Sequence, residues 1–314
     1  MTMDGLGWRR TRVRHTIVIG AALAMVAIAG YLHVHQRARV RNREAVRARV
    51  DEHIAVPFAL TDYPWKHATT VYEPLARRIP VAEGYTRVPL VDRSWGQWLR
   101  CLPVLPAGSD VRAVDGSVAW PGASPFISTV IDIDVRKNQE CADVICRLRA
   151  EYLKWAGKEN KISFSAGDGV RISWPEWKQG VRPRYDGRRL HLERRGTPGS
   201  SRADFDRYLA TMFAWCGTAT IQPDLRPVPA GQEQVGDLFL RAGNPGHCVL
   251  IVDLARDRAG RTRAMFAQGW LPARSPHVVA NDYDAWIVMD PTRPVNVPPW
   301  GDFRWSELRR FGGR

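Results

Sequence analysis

The chain has 314 residues, 45% of them hydrophobic and 25% charged, with a formal charge of +14. That balance excludes disorder and suits one large folded domain or two small ones. The positive excess favours anionic lipid head groups or cell-wall polymers as partners; no nucleic-acid motif accompanies it, so no nucleic-acid partner is expected.

Residues 1–29 read as a signal peptide or signal anchor. Arg9, Arg10, Arg12 and Arg14 make a basic start, Thr16–Val26 is apolar, and Ala27-Ile28-Ala29 fits a small-x-small cleavage site. The apolar run extends to Leu32, about 17 residues, at the short limit for a spanning helix. Residues 30–56 form a basic juxtamembrane linker, and 57–314 are expected to be a single α+β domain in the periplasm, free or anchored to the inner membrane. Five cysteines (Cys101, Cys141, Cys146, Cys216, Cys248) leave at least one thiol unpaired in an exported protein. No CxxC has metal-ligand spacing, so neither a metal nor a cofactor is expected. Thirteen Trp point to extended aromatic packing or a ligand groove.

Pro57 to Pro80 is Pro-punctuated and reads as extended. Ser94–Leu102 has helical apolar spacing behind a Ser cap. Asp115-Gly116 marks a hairpin, and Thr129–Val135 alternates as a strand with Asp132 and Asp134 on one face. Asn138–Trp155 carries the strongest helical stripe, through Cys141, Val144, Ile145, Leu148, Tyr152 and Trp155, with Asn138 as expected N-cap and Gly157 as stop. Cys141 falls in the first turn, where unpaired amides and the helix dipole lower a thiol's pKa. Ile162–Phe164 and Val170–Trp174 form a hairpin. Gln179–Gly199 reads as a loop with one short strand at Leu190–Leu192, and Asp204–Cys216 as a second amphipathic helix.

The stretch Val235–Ala273 reads as a three-stranded meander: Leu238–Leu240, a Gly243–Gly246 turn, the β-branched run Val249–Leu254, a polar loop, and Ala264–Gln268. His247 opens its central strand and Gln268 closes the next, so a hairpin between them brings the two side chains together. Trp286–Met289 is a last strand, and Ser306–Phe311 a short terminal helix.

A Cys at a helix start, a His at a strand start and a polar residue on the neighbouring strand resemble the NlpC/P60 or papain-like cysteine hydrolases. That likeness implies a core in which an antiparallel sheet packs against the Cys-bearing helix. CADVICRLRAEYL, SWGQWLRCLPV, GDLFLRAGNPGHCVLIVDLA and AQGWLPA together resemble the bacterial Domain of Unknown Function 4846 family from about Tyr85 to Phe311. That family brings no activity with it.

The hydrolase reading takes Cys141 as nucleophile, His247 as base and Gln268 as orienting group, with His277 and Asn281 in reserve. Asp237, Trp270 and Trp98 are the expected substrate contacts. The substrate would be a cell-wall polymer or a peptide, cleaved at an amide bond. An alternative is a non-catalytic envelope module that binds glycan or peptide in the same cleft. A carboxylate glycosidase built on Asp132, Asp134 or Glu151 fits less well, because the two Asp are too close to flank a sugar bond.

Overall fold

The computed structural model describes residues 56–65, 73–243 and 245–312. The expected targeting segment and all of the linker except Val56 lie outside these residues. The described residues fall within one compact unit, Ile54–Arg314. Among them, no helix is long and apolar enough to cross a membrane.

The domain is α+β, built on a nine-stranded antiparallel sheet. Its strands in chain order are β1 (Tyr85–Arg87), β2 (Ile127–Val130), β3 (Leu225–Pro227), β4 (Leu238–Arg241), β5 (His247–Asp257), β6 (Thr262–Gln268), β7 (His277–Val279), β8 (Ile287–Met289) and β9 (Leu308–Phe311). Across the sheet they run β2-β7-β6-β5-β4-β9-β3. At the far end of the β5–β6 ribbon, β1 pairs with β5 and β8 with β6. The long ribbon is the spine, because its run of buried apolar residues has two neighbours along most of its length.

Helix α1 (Trp95–Arg100) is capped by Ser94, whose hydroxyl accepts from the Gln97 amide. Helix α2 (Cys141–Trp155) buries the expected stripe, and Gly157 follows it in the left-handed region at φ 68°. Its N-cap is Glu140, not Asn138: the Glu140 amide donates to Asp143 Oδ2 at 3.0 Å, while Asn138 bends the entering chain at φ 62°. Asn tolerates that conformation, so it turns the chain ahead of the helix instead of capping it. Helix α3 (Arg202–Trp215) starts behind Ser201.

Other expectations fail too: Pro57–Pro80, read as extended, holds a 3-10 turn at Leu60–Asp62 and a helical turn at Leu75–Arg78. Ser306–Phe311 is not a helix: Trp305–Glu307 is a 3-10 turn, and Leu308–Phe311 is β9, inserted between β4 and β3. The open edge of β4 needs backbone partners, and Leu308 can be fully buried only by docking there. Within Gln179–Gly199, the expected short strand at Leu190–Leu192 is present as Leu190–Arg194, but it pairs with an unexpected strand, Val181–Tyr185, in a five-residue-a-side hairpin. The Trp content goes mainly into packing. Trp98 is fully buried and meets Tyr63, Trp65, Trp95 and Tyr152 at centroid distances of 5.0–5.8 Å.

The β5–β6 ribbon holds one bulge. Leu250 and Ile251 pair with Ala267 and Phe266, whereas Asp253 pairs with Met265, so Val252 is the extra residue. Beside it, the fully buried Asp253 accepts from Arg87 Nε and Arg100 Nε, each at 2.7 Å, and from the Leu254 amide at 2.8 Å. Two guanidiniums thereby neutralise one buried carboxylate and clamp β1 and α1 to the spine.

Asp253→Ala leaves both guanidiniums largely buried without a counter-charge. It is expected to cost about 3–5 kcal/mol in urea unfolding, the range for breaking a buried pair from one side. A loss below about 1 kcal/mol would show that the cluster does not hold the bulge.

Candidate active site

The bulge decides which residues meet at the other end of the ribbon. Side chains alternate across a strand, so adding one residue to β5 exchanges the faces of everything beyond it. Continuing the register from Leu250–Ala267 sets Gln268 opposite Val249, on the face that also carries His247. Without Val252 in excess, Gln268 would fall opposite Leu250, on the other face.

With the bulge in place, His247 Nε2 and Gln268 Oε1 are 2.8 Å apart. Gln268 is the direct cross-strand partner of His277, and its Nε2 lies 3.1 Å from His277 Nε2. His277 Nδ1 lies 3.1 Å from the Ser275 carbonyl. These contacts have one consistent set of donors. The Ser275 oxygen can only accept, so His277 carries its proton on Nδ1 and accepts at Nε2 from the Gln268 amide. The Gln268 oxygen then accepts from His247 Nε2–H. Burial supports this by pushing the His277 pKa down to about 4, which keeps that ring neutral. His247 Nδ1 takes no part in this chain of contacts.

Cys141 opens α2 and sits against this end of the sheet. Its Sγ is 4.0 Å from the carbonyl oxygen of Gly246, the residue before His247. Its pKa is lowered to about 5, first by a hydrogen bond from the Cys248 thiol, then by the His247 imidazole as donor and as positive charge, and by the Ala142 amide; these outweigh burial. The helix can approach so closely because Gly269 follows Gln268. A Cβ there would lie 2.6 Å from Val144 Cγ2 and 2.8 Å from the Glu140 carbonyl oxygen. Two residues into the helix, burial raises the Asp143 carboxyl to about 8, so it adds little negative charge beside the thiolate at neutral pH.

Aromatic rings frame His247. Trp300 stacks on it at 4.6 Å and Trp270 meets it edge-on at 5.1 Å. Trp120 contacts both Trp270 and His277, at 5.1 and 5.4 Å. His247, Gln268 and His277 are 2%, 0% and 0% exposed, and Cys141 8%, so Cys141 is the most accessible of the four.

The chain matches the family described as Domain of unknown function (4846) over residues 75–310. It belongs to that family. No curated protein and no solved structure matches it.

In this member of the 4846 family, Cys141, His247, Gln268 and Trp270 come together, whereas two expected substrate contacts lie elsewhere. Trp98 is closed into the aromatic core described above. Asp237 is 1% exposed and holds Arg310 of β9 through its Nε and Nη2 at 2.5 and 2.7 Å. Burial against these partners leaves neither a surface for a substrate. The carboxylates considered for a glycosidase are also engaged: Glu151 accepts both Arg202 Nη atoms at 2.7 and 2.6 Å, and Asp134 pairs with Arg136 and Arg147. Trp300 and Cys248 were not expected at the site. Trp300 lies far along the chain in a Pro-rich stretch, and Cys248 looks like one more member of an apolar strand. Among the described residues, no group of three His, Cys, Asp or Glu is placed to hold a metal ion.

Iodoacetamide is expected to label Cys141 selectively. The rate should rise with pH through a midpoint near 5, as the thiolate forms. The other four thiols should resist, since burial pushes Cys101 up to about 12 and raises Cys146, Cys216 and Cys248 as well. Peptide mapping across a pH series reads this out. A midpoint in the ordinary thiol range for Cys141 would contradict the proposed electrostatics.

Proposed function

We propose that this protein is an exported cysteine hydrolase with a papain/NlpC-like core, an amidase or peptidase acting on peptide or peptidoglycan amide bonds. The observation that carries the reading is the fixed tautomer of His247. Gln268 holds Nε2–H, which leaves Nδ1 for a thiol already lowered to about 5. Order along the chain supports it too: helix-borne thiol, strand-borne His, polar residue on the next strand. The basic and apolar start of the sequence supports export, and the net charge of +14 supports an anionic envelope polymer as the setting.

In the reaction, the Cys141 thiolate attacks the carbonyl carbon of the scissile amide. As the C–N bond breaks, His247 gives its Nδ1 proton to the departing amine, leaving a thioester on Cys141. Water then adds to that thioester. His247 takes the water's proton as the C–O bond forms, the C–S bond then breaks, and the acid leaves with the thiolate–imidazolium pair restored. Gln268 keeps the ring in register throughout, and neutral His277 keeps the Gln268 amide from turning over. Trp270 and Trp300 confine the ring and line the approach to it.

Full-length protein would be assayed on purified cell-wall fragments, with thermal unfolding as the control for folding. Cys141→Ala is expected to abolish turnover, and Gln268→Ala to lower it on the order of ten- to a hundredfold, as for residues that orient metal-bound histidines. Activity should also fall as pH drops through about 5, where the thiolate is lost. Full activity in Cys141→Ala would overturn the mechanism. Fragment binding by the wild type without any cleavage would instead mark a binding module.

A further inference from the structure

A second site lies further along α2. Arg149 is eight residues beyond Cys141, about 12 Å along the helix axis. With the hairpin Ser163–Ser165/Arg171–Ser173, β3 and the end of β9, it lines a cavity of about 330 Å³. The floor is apolar: Leu153 and Phe164 are buried, Leu225 and Phe311 half-buried. The rim is cationic, with Arg149, Lys161, Arg171 and Arg226.

What separates this rim from an ordinary basic surface is where its charges go. Arg171 is already committed to Asp224, the one carboxylate in the lining. Asp224 is also held by the Ser165 amide and hydroxyl, both at 2.7 Å, so it presents little free negative charge to the cavity. Among the described residues, no carboxylate pairs with Arg149, Lys161 or Arg226. Arg149 is the most constrained of the three. Its guanidinium lies 5.3, 5.7 and 5.5 Å from the ring centroids of Trp95, Tyr152 and Phe311, and it makes no hydrogen bond among the described residues. Arg149 is half-buried, with ring faces around its guanidinium and no acceptor among the described residues, so an oxyanion entering the cavity would take the place of water as its charge-assisted hydrogen-bond partner.

We infer that this cavity binds a small amphiphilic anion, an organic phosphate or carboxylate whose oxyanion meets Arg149, Lys161 and Arg226 while a short apolar group lies on Leu153, Phe164, Leu225 and Phe311. The volume sits at the small end for ligand sites, with room for one head and a short tail but not for two acyl chains. A free small molecule is therefore the ligand, not a bilayer lipid. The site is independent of the Cys141 chemistry.

The test is calorimetric titration of the full chain with hexyl phosphate, inorganic phosphate, hexanol and phosphatidic acid vesicles in separate arms. Hexyl phosphate should bind, and inorganic phosphate and hexanol at least about tenfold more weakly, because each supplies half of the contacts. Binding should weaken with added salt. The surface double variant Lys161→Ala/Arg226→Ala should lose at least about tenfold in affinity with unchanged thermal unfolding. Arg149→Met should abolish binding, and if that variant fails to fold, Arg149→Lys together with the surface pair carries the test. The proposal is overturned if hexyl phosphate gives no binding, if the double variant binds as tightly as the wild type, if inorganic phosphate alone binds equally well, or if only the vesicles bind.

Discussion

The candidate site depends on a single surplus residue in β5. Val252 breaks the β5–β6 register, so the two ends of the ribbon obey opposite face assignments. On one side of the bulge, Asp253 meets Arg87 and Arg100; on the other, Gln268 shares a face with His247. Bulges persist where a strand must re-aim a side chain, and here the side chain re-aimed is the one that orients the imidazole. The buried ion cluster and the polar site are thus two consequences of one backbone irregularity. A ribbon in perfect register would have turned Gln268 toward the helix-bearing side and left His247 Nε2 facing apolar rings.

The three-residue chain from His247 through Gln268 to His277 also answers a stability question. Three polar side chains, none more than 2% exposed, sit at the end of an apolar sheet, where each unpaired donor or acceptor would cost about 1–3 kcal/mol. They satisfy one another in a single direction, anchored at the Ser275 carbonyl. That direction has a chemical consequence. A chain running the other way would make His247 Nε2 an acceptor and put the ring proton on Nδ1. The arrangement that satisfies the buried groups is therefore the one that keeps Nδ1 outside the chain, as the proposed mechanism requires.

Much of this was legible in the sequence, and the misses have physical causes. The α2 stripe, its Gly157 stop and the Ser94 cap are local signals, and local signals survive folding. The meeting of His247 and Gln268 followed from the hairpin alone, although the correct face required a bulge that a continuous apolar run such as Val249–Leu254 cannot reveal. Leu308–Phe311 looked helical because nothing local records that β4 has an open edge. Trp98 and Asp237 were drawn to the site by chemistry that could serve a substrate. In the structure one fills a core and the other anchors an arginine, and both outcomes depend on residues distant in sequence. Trp300 was invisible for the same reason, since its stacking on His247 depends on the path of a Pro-rich segment more than 50 residues downstream.

The five cysteines differ in what surrounds them more than in how deeply they are buried. All five are buried, so burial alone would raise every one of them, and it does raise four. Cys248 and Cys141 even share one contact, yet they move in opposite directions. Their positions explain the split. Cys248 is fully enclosed in the middle of the sheet and donates its proton toward its neighbour. Cys141 sits at the open end of a helix, where an amide, an imidazole and the Cys248 thiol all supply positive or proton-donating character. One thiol is thus held as the donor so that the other can be the anion. An amide, an imidazole and a thiol converge on Cys141 alone among the five, and that is the ground for proposing it as the nucleophile.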